Sequence, residues 1–221
     1  MAAHRSAPAL LPPALRVWLG LIAALAALVV VALGVLYAGH GEPGTVDAWI
    51  QPSVDAVRPP WRNLALATDF LAEPLGAAVL VVATVTGCLR LRRPHAAVLV
   101  VAGTGLTVGT TKLLKPLVGR TIHGADNLSY PSGHTAFLTA LALVVALLAT
   151  GRLGLGRTAG TALVLAAALV AGAAMGWAQV ALGAHYPTDV LGGWCTALAV
   201  VPATAWLVDR TADAGRRQQR R

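Results

Sequence analysis

The chain has 221 residues, of which 57% are hydrophobic and only 12% charged, about half the charged share of a soluble domain. Its formal net charge of +8 raises the question of a nucleic-acid partner. The arginines border apolar segments and no basic stripe interleaves with aromatics, so we expect no nucleic acid and instead cytoplasmic loops beside anionic lipid.

Apolar runs of membrane-spanning length recur along the chain, which makes it an integral membrane protein of all-α class. Six predicted spans of about 20 residues cover 15–38, 70–89, 95–114, 134–151, 158–181 and 189–208. The first is too long for a signal-peptide core and is read as a retained helix after a cytoplasmic N-terminal segment, 1–14. Glu73 and Pro74 interrupt the second, whose membrane part begins near Leu75. The only cysteines, Cys88 and Cys195, fall in apolar segments with no ligand set nearby, so neither a disulfide framework nor a cysteine metal site is expected. One six-span membrane domain, 15–209, is expected, without internal repeats. A basic cytoplasmic tail, 210–221, follows it, and its "ADAGRRQQRR" reads as disordered.

Arginine placement orients the spans. Arg5 and Arg16 precede the first; Arg90, Arg92 and Arg93 follow the second; Arg152 and Arg157 separate the fourth and fifth; Arg210, Arg216, Arg217, Arg220 and Arg221 follow the sixth. With these clusters inside, both termini are cytoplasmic in the cell membrane, and the loops at 39–69, 115–133 and 182–188 are extracytoplasmic. The first outer loop mixes Trp49, Ile50, Val54 and Trp61 with Asp47, Asp55 and Arg58. That mixture predicts short amphipathic helices anchored at the interface, a reading favoured over a lipid-gripping lid.

The other two outer loops carry chemistry. Lys112 and Lys115, the only lysines, sit at the outer end of the third span, and Arg120 follows. Snorkelling explains each lysine alone; three cations together suggest an anionic ligand. In "YPSGHTAF", Ser132 is a natural N-cap and Gly133 lets the backbone approach closely. The turn offers unpaired N–H groups and the positive end of a helix dipole, which is a phosphate-binding geometry. His134 on that turn can supply a proton. In "LGAHYPTDVLGG", His185 precedes Asp189 by four residues, and Pro187 can start the helix between them. The carboxylate can hold the imidazole by its Nδ1 proton and leave Nε2 free as a nucleophile. No outward-facing set of acids and histidines has metal-ligand spacing, so no metal and no cofactor are expected.

These residues resemble the type 2 phosphatidic acid phosphatase superfamily of membrane lipid phosphatases, whose three blocks are Lys-x6-Arg-Pro, Pro-Ser-Gly-His and Ser-Arg-x5-His-x3-Asp. The second block is intact at Pro131–His134, and the third keeps His185 and Asp189. The resemblance covers about residues 95–208. Two departures stand out: with Lys115 as the first-block lysine, Ile122 and His123 replace Arg-Pro, and Ala178 and Gln179 replace Ser-Arg. A neutral amide cannot replace a guanidinium on phosphate.

The resemblance implies a six-helix bundle with a metal-free phosphatase site at the extracytoplasmic face. His185 would attack phosphorus, Asp189 would orient it, and His134 would protonate the leaving oxygen. Lys115, Arg120, Ser132 and Gly133 would hold the phosphate; Lys112, His123 and Gln179 are further candidates. The implied substrate is a lipid-linked phosphate monoester or diphosphate: phosphatidic acid, phosphatidylglycerophosphate, or a polyprenyl phosphate or diphosphate. The same resemblance covers lipid phosphotransferases, and the missing arginines suit a weakly active or non-catalytic lipid-phosphate binder. Membrane lipid is the only other partner expected, and nothing in the sequence fixes an oligomeric state.

Overall fold

A computed structural model describes residues 9–54 and 57–219, and every regular element among them is helical. In chain order they are α1 Arg16–Leu36, α2 Thr45–Ile50, α3 Trp61–Phe70, α4 Pro74–Arg90, α5 Pro94–Val118, α6 Gly133–Leu153, α7 Arg157–Ala181 and α8 Pro187–Gln219. Five helical segments are individually long and apolar enough to cross a membrane, and α3 with α4 forms a pair bent by 59°.

That bend follows from sequence. Pro74 lacks an N–H and pushes Glu73 out of the helical region, to ψ 154°. Gly76 makes the corner possible, because a Cβ there would lie 1.9 Å from the Phe70 carbonyl oxygen. The second span therefore begins at Pro74, while α3 lies as a separate arm against α7.

The centre of the bundle is α6, which packs on α5, α7 and α8, while α1 lies along α8 and α4 along α5. Residues such as Ala140, Leu143, Val144 and Leu147 are buried there. By contrast Val17, Leu21, Leu25, Leu28, Val31 and Val35 of α1 are exposed at three- and four-residue spacing, an apolar stripe suited to acyl chains. Several buried hydroxyls are satisfied within their own helices, as where Thr107 donates to the Gly103 carbonyl at 2.7 Å and Thr196 to Gly192 at 2.7 Å, whereas those of Thr139 and Thr150 have no partner among the described residues.

Two sequence expectations change. The stretch after residue 210 continues α8 as helix through Gln219, so it is not a disordered tail; Arg220 and Arg221 lie outside the described residues, as does Arg5. Its first residues keep the 3.6-residue repeat, with Trp206 beneath Arg210. The first outer loop does fold into short helices, but Asp47 is fully buried and points inward rather than along an interface. Trp49 and Trp61 remain 80% and 60% exposed, as anchors would be; Asp55 lies outside the described residues.

Candidate active site

The loops before α6 and α8 meet at one end of the bundle and are bonded to each other, since Ser132 N–H donates to the Asp189 carbonyl at 3.0 Å. The contact demands the "GG" of "DVLGG": a Cβ on Gly193 would lie 2.3 Å from the Ser132 carbonyl oxygen. Two blocks distant in sequence thus form one surface.

His185 and Asp189 make the fixed half. The imidazole Nδ1 lies 3.6 Å from Asp189 Oδ2, across the four residues that lead into the first turn of α8. Asp189 Oδ2 also accepts the Tyr186 N–H at 3.1 Å, and Oδ1 accepts from Arg120 at 2.7 Å. Burial pushes the His185 pKa below its ordinary value; the Asp189 carboxylate beside it pushes it back up, and Lys115 and His134 push it down. The net direction is down, so the ring is neutral near pH 7 and its nitrogen lone pair is available.

Arg120 is turned into the protein, toward carboxylates. Gly119, at φ 65°, ends α5 in the left-handed conformation, and the Arg120 side chain that follows it is fully buried. Its terminal nitrogens donate to Asp47 at 2.6 Å, to Thr188 at 2.6 Å and to Asp189 at 2.7 Å. Its planar head lies 4.0 Å from the Tyr37 ring centroid and 4.5 Å from that of Tyr186. Asp47 further accepts the Thr188 N–H at 2.9 Å and the Thr188 hydroxyl at 2.9 Å. Both terminal nitrogens of this guanidinium are thus engaged between two buried carboxylates, while its Nε is buried without a partner among the described residues.

The remaining cations and the cap divide differently. Lys115 reaches back to donate its Nζ to the Leu128 carbonyl and is only half-buried, whereas Lys112 is exposed. Ser132 is buried and caps α6, accepting the Thr135 N–H at 3.4 Å. The first-turn N–H groups of Gly133 and His134 are those the cap leaves to a ligand. His123 lies apart, exposed at φ 57°, with its Nε2 donating to the Gly183 carbonyl at 2.8 Å.

His134 makes the open half. Its side chain is 30% exposed, and Nε2 stands 3.7 Å from Asp69 Oδ1 and 3.5 Å from Glu73 Oε1. Gln179 is buried and donates to Asp69 at 2.5 Å. Asp69, Glu73 and His134 each offer a ligand atom within 4.8 Å of the others. The expectation that no acids and histidine share metal-ligand spacing is therefore corrected. The bend at Pro74 carries both acids over the mouth of α6, a closeness that linear spacing could not show. The sequence alone gives Asp47, Asp69 and Glu73 no part in the site. For the last two a signal existed, because an acid pair four residues apart opening an apolar span is costly without a role.

Comparison with known proteins agrees with this geometry. A family model of the PAP2 superfamily matches residues 75–213, more than half of the chain. A crystal structure described as the first transmembrane PAP2 type phosphatidylglycerolphosphate phosphatase, from Bacillus subtilis, superposes with a TM-score of 0.66 at 21% identity, covering 87% of this chain and 96% of that one. No curated protein matches the chain. With its Pro-Ser-Gly-His cap and His185–Asp189 turn joined on one surface of a helical membrane bundle, the chain belongs to the PAP2 superfamily.

Proposed function

We propose that this protein hydrolyses a lipid-linked phosphate monoester or diphosphate through a phosphohistidine. His185 Nε2 attacks phosphorus while the bond to the leaving oxygen breaks, and protonated His134 gives that oxygen its proton. Water then attacks the phosphohistidine, His134 takes the water proton, and inorganic phosphate leaves with His185 restored. Asp189 holds the Nδ1 side of the ring, and Asp47 and Arg120 are positioning residues that hold Asp189. The Gly133 and His134 N–H groups, with Lys115, carry the charge on the equatorial oxygens.

The observation that supports this most is the His185–Asp189 pair at 3.6 Å, buried beside a capped helix N-terminus. Phosphatidic acid, phosphatidylglycerophosphate and polyprenyl phosphates are the substrates we favour, the second being the class named for the Bacillus subtilis protein. The site faces the extracytoplasmic side in this reading, with both termini cytoplasmic. One observation favours a second reading, a weakly active or purely binding member. Arg120 is committed to Asp47 and Asp189, and Gln179 meets Asp69 where the family blocks place an arginine. Phosphate release by the purified protein across that lipid panel separates the two: turnover on one lipid class is expected, and binding without release would favour the second reading.

A further inference from the structure

The opposite end of the bundle holds a cavity that phosphoryl chemistry does not use. A cup of about 420 Å³ between the start of α1 and the last turns of α8 is walled by Arg16, Trp206, Asp209, Arg210, Asp213 and Arg217. Its carboxylates are already engaged. Asp209 accepts the N–H groups of Leu10 and Leu11 at 2.9 and 3.0 Å, and Asp213 has a partner of its own. Its guanidiniums are not: among the described residues no ion pair engages Arg16, Arg210 or Arg217. Arg16 spends only its Nε, on the Leu11 carbonyl at 3.3 Å. Arg210 is held 4.5 Å over the Trp206 ring, which fixes its fork at the mouth of the cup.

Arg16 and Trp206 also line a second, apolar groove of about 330 Å³, which continues along α1 and α8 over Gly20, Ala23, Pro202 and Ala203. Small residues open that groove, and a Cβ on Gly20 would meet no atom within 4 Å. A cup of guanidiniums without ion pairs thus runs directly into an acyl-sized channel, with Trp206 on the wall that the two share. A soluble phosphate would fill the cup and leave the channel empty. A zwitterionic headgroup would bring an ammonium against three guanidiniums offset only in part by Asp209 and Asp213.

We propose that the two cavities together bind one anionic phospholipid, its phosphodiester held by Arg16, Arg210 and Arg217 and one acyl chain lying in the α1–α8 groove. Phosphate is the anion for which a guanidinium fork is shaped, and basic pockets between membrane helices are suited to lipid headgroups.

The test uses the full chain, delipidated in detergent and offered phosphatidylglycerol, phosphatidylcholine or glycerol phosphate, with retained ligand read by native mass spectrometry. Phosphatidylglycerol should be retained roughly tenfold or more over phosphatidylcholine. The double variant R210Q/R217Q should remove that preference, and Gly20→Leu should lower retention of both lipids by filling the groove. In the wild type, rising salt should erase the preference without any substitution. Equal retention of the two lipids, a preference unchanged by salt, or variants that bind as the wild type does would overturn the proposal. Glycerol phosphate retained as well as phosphatidylglycerol would overturn it too, in favour of a soluble-phosphate site.

Discussion

The two halves of the candidate site are built on opposite plans. His185 is 8% exposed and is backed by Asp189, which is held in turn by Arg120 and the Tyr186 N–H. His134 has a side chain 30% exposed and faces two carboxylates at 3.5 and 3.7 Å, just beyond hydrogen-bond reach. In the proposed mechanism, burial against Asp189 fixes the group that strikes phosphorus along one line, while the group that passes protons keeps access to water. The charges differ as well. The fixed half shares one guanidinium, Arg120, between Asp47 and Asp189, whereas the open half sets Asp69 and Glu73 beside His134 with no lysine or arginine paired to them among the described residues. This contrast organises the expected outcomes.

The largest effect belongs to the fixed half: His185→Ala should abolish phosphate release while thermal melting in detergent changes little. Arg120→Ala comes next, and its loss should appear as instability. Removing it strands Asp47 and Asp189 uncompensated, which costs roughly 3–5 kcal/mol for a buried pair. A lowered melting temperature is the readout. A raised KM with unchanged melting would mean that Arg120 binds phosphate after all and would break the contrast.

A pH profile sharpens the same comparison. Burial lowers the His185 pKa, so the ring stays neutral below its ordinary value of about 6.5. Turnover limited by the nucleophile should therefore hold as pH falls through about 6.5 and decline only further down. Between the two values the unfolded chain binds the proton and the folded chain does not, so this group's contribution to stability falls with acid. An acid limb above pH 6.5 would contradict a buried neutral imidazole.

In the open half the effects are smaller. Gln179→Ala removes one hydrogen bond to Asp69, worth about 1 kcal/mol net. Its effect on phosphate release should be correspondingly slight beside that of His185→Ala. Chelation should change least, because the proposed steps need no metal. Release lost to a chelator and restored by a divalent ion would assign Asp69, Glu73 and His134 to a cation and overturn the metal-free steps.

Much of this was legible in sequence, for local reasons. Span positions follow from apolar runs, the α6 cap from Ser132 and the His185–Asp189 pair from a four-residue spacing, each read within one turn or one helix. The carboxylate partners of Arg120 are not legible in sequence because they lie 73 and 69 residues away, and a loop arginine beside two lysines looks the same whether it faces ligand or carboxylate. The acids over His134 escaped for a like reason: Gln179 and Asp69 are 110 residues apart, and only the bend before α4 brings them together. Helix continuing past residue 210 was hidden because a run of arginines resembles a disordered tail in composition.

The most direct test of the account is to trap the enzyme during turnover of a lipid phosphate labelled with radioactive phosphorus, then map the label. Acid-labile phosphate on His185, present in the wild type, absent in His185→Ala and accumulating in His134→Ala with a good leaving group, is the expected result. Phosphate released at the wild-type rate by His185→Ala, or label found on any other residue, would contradict it.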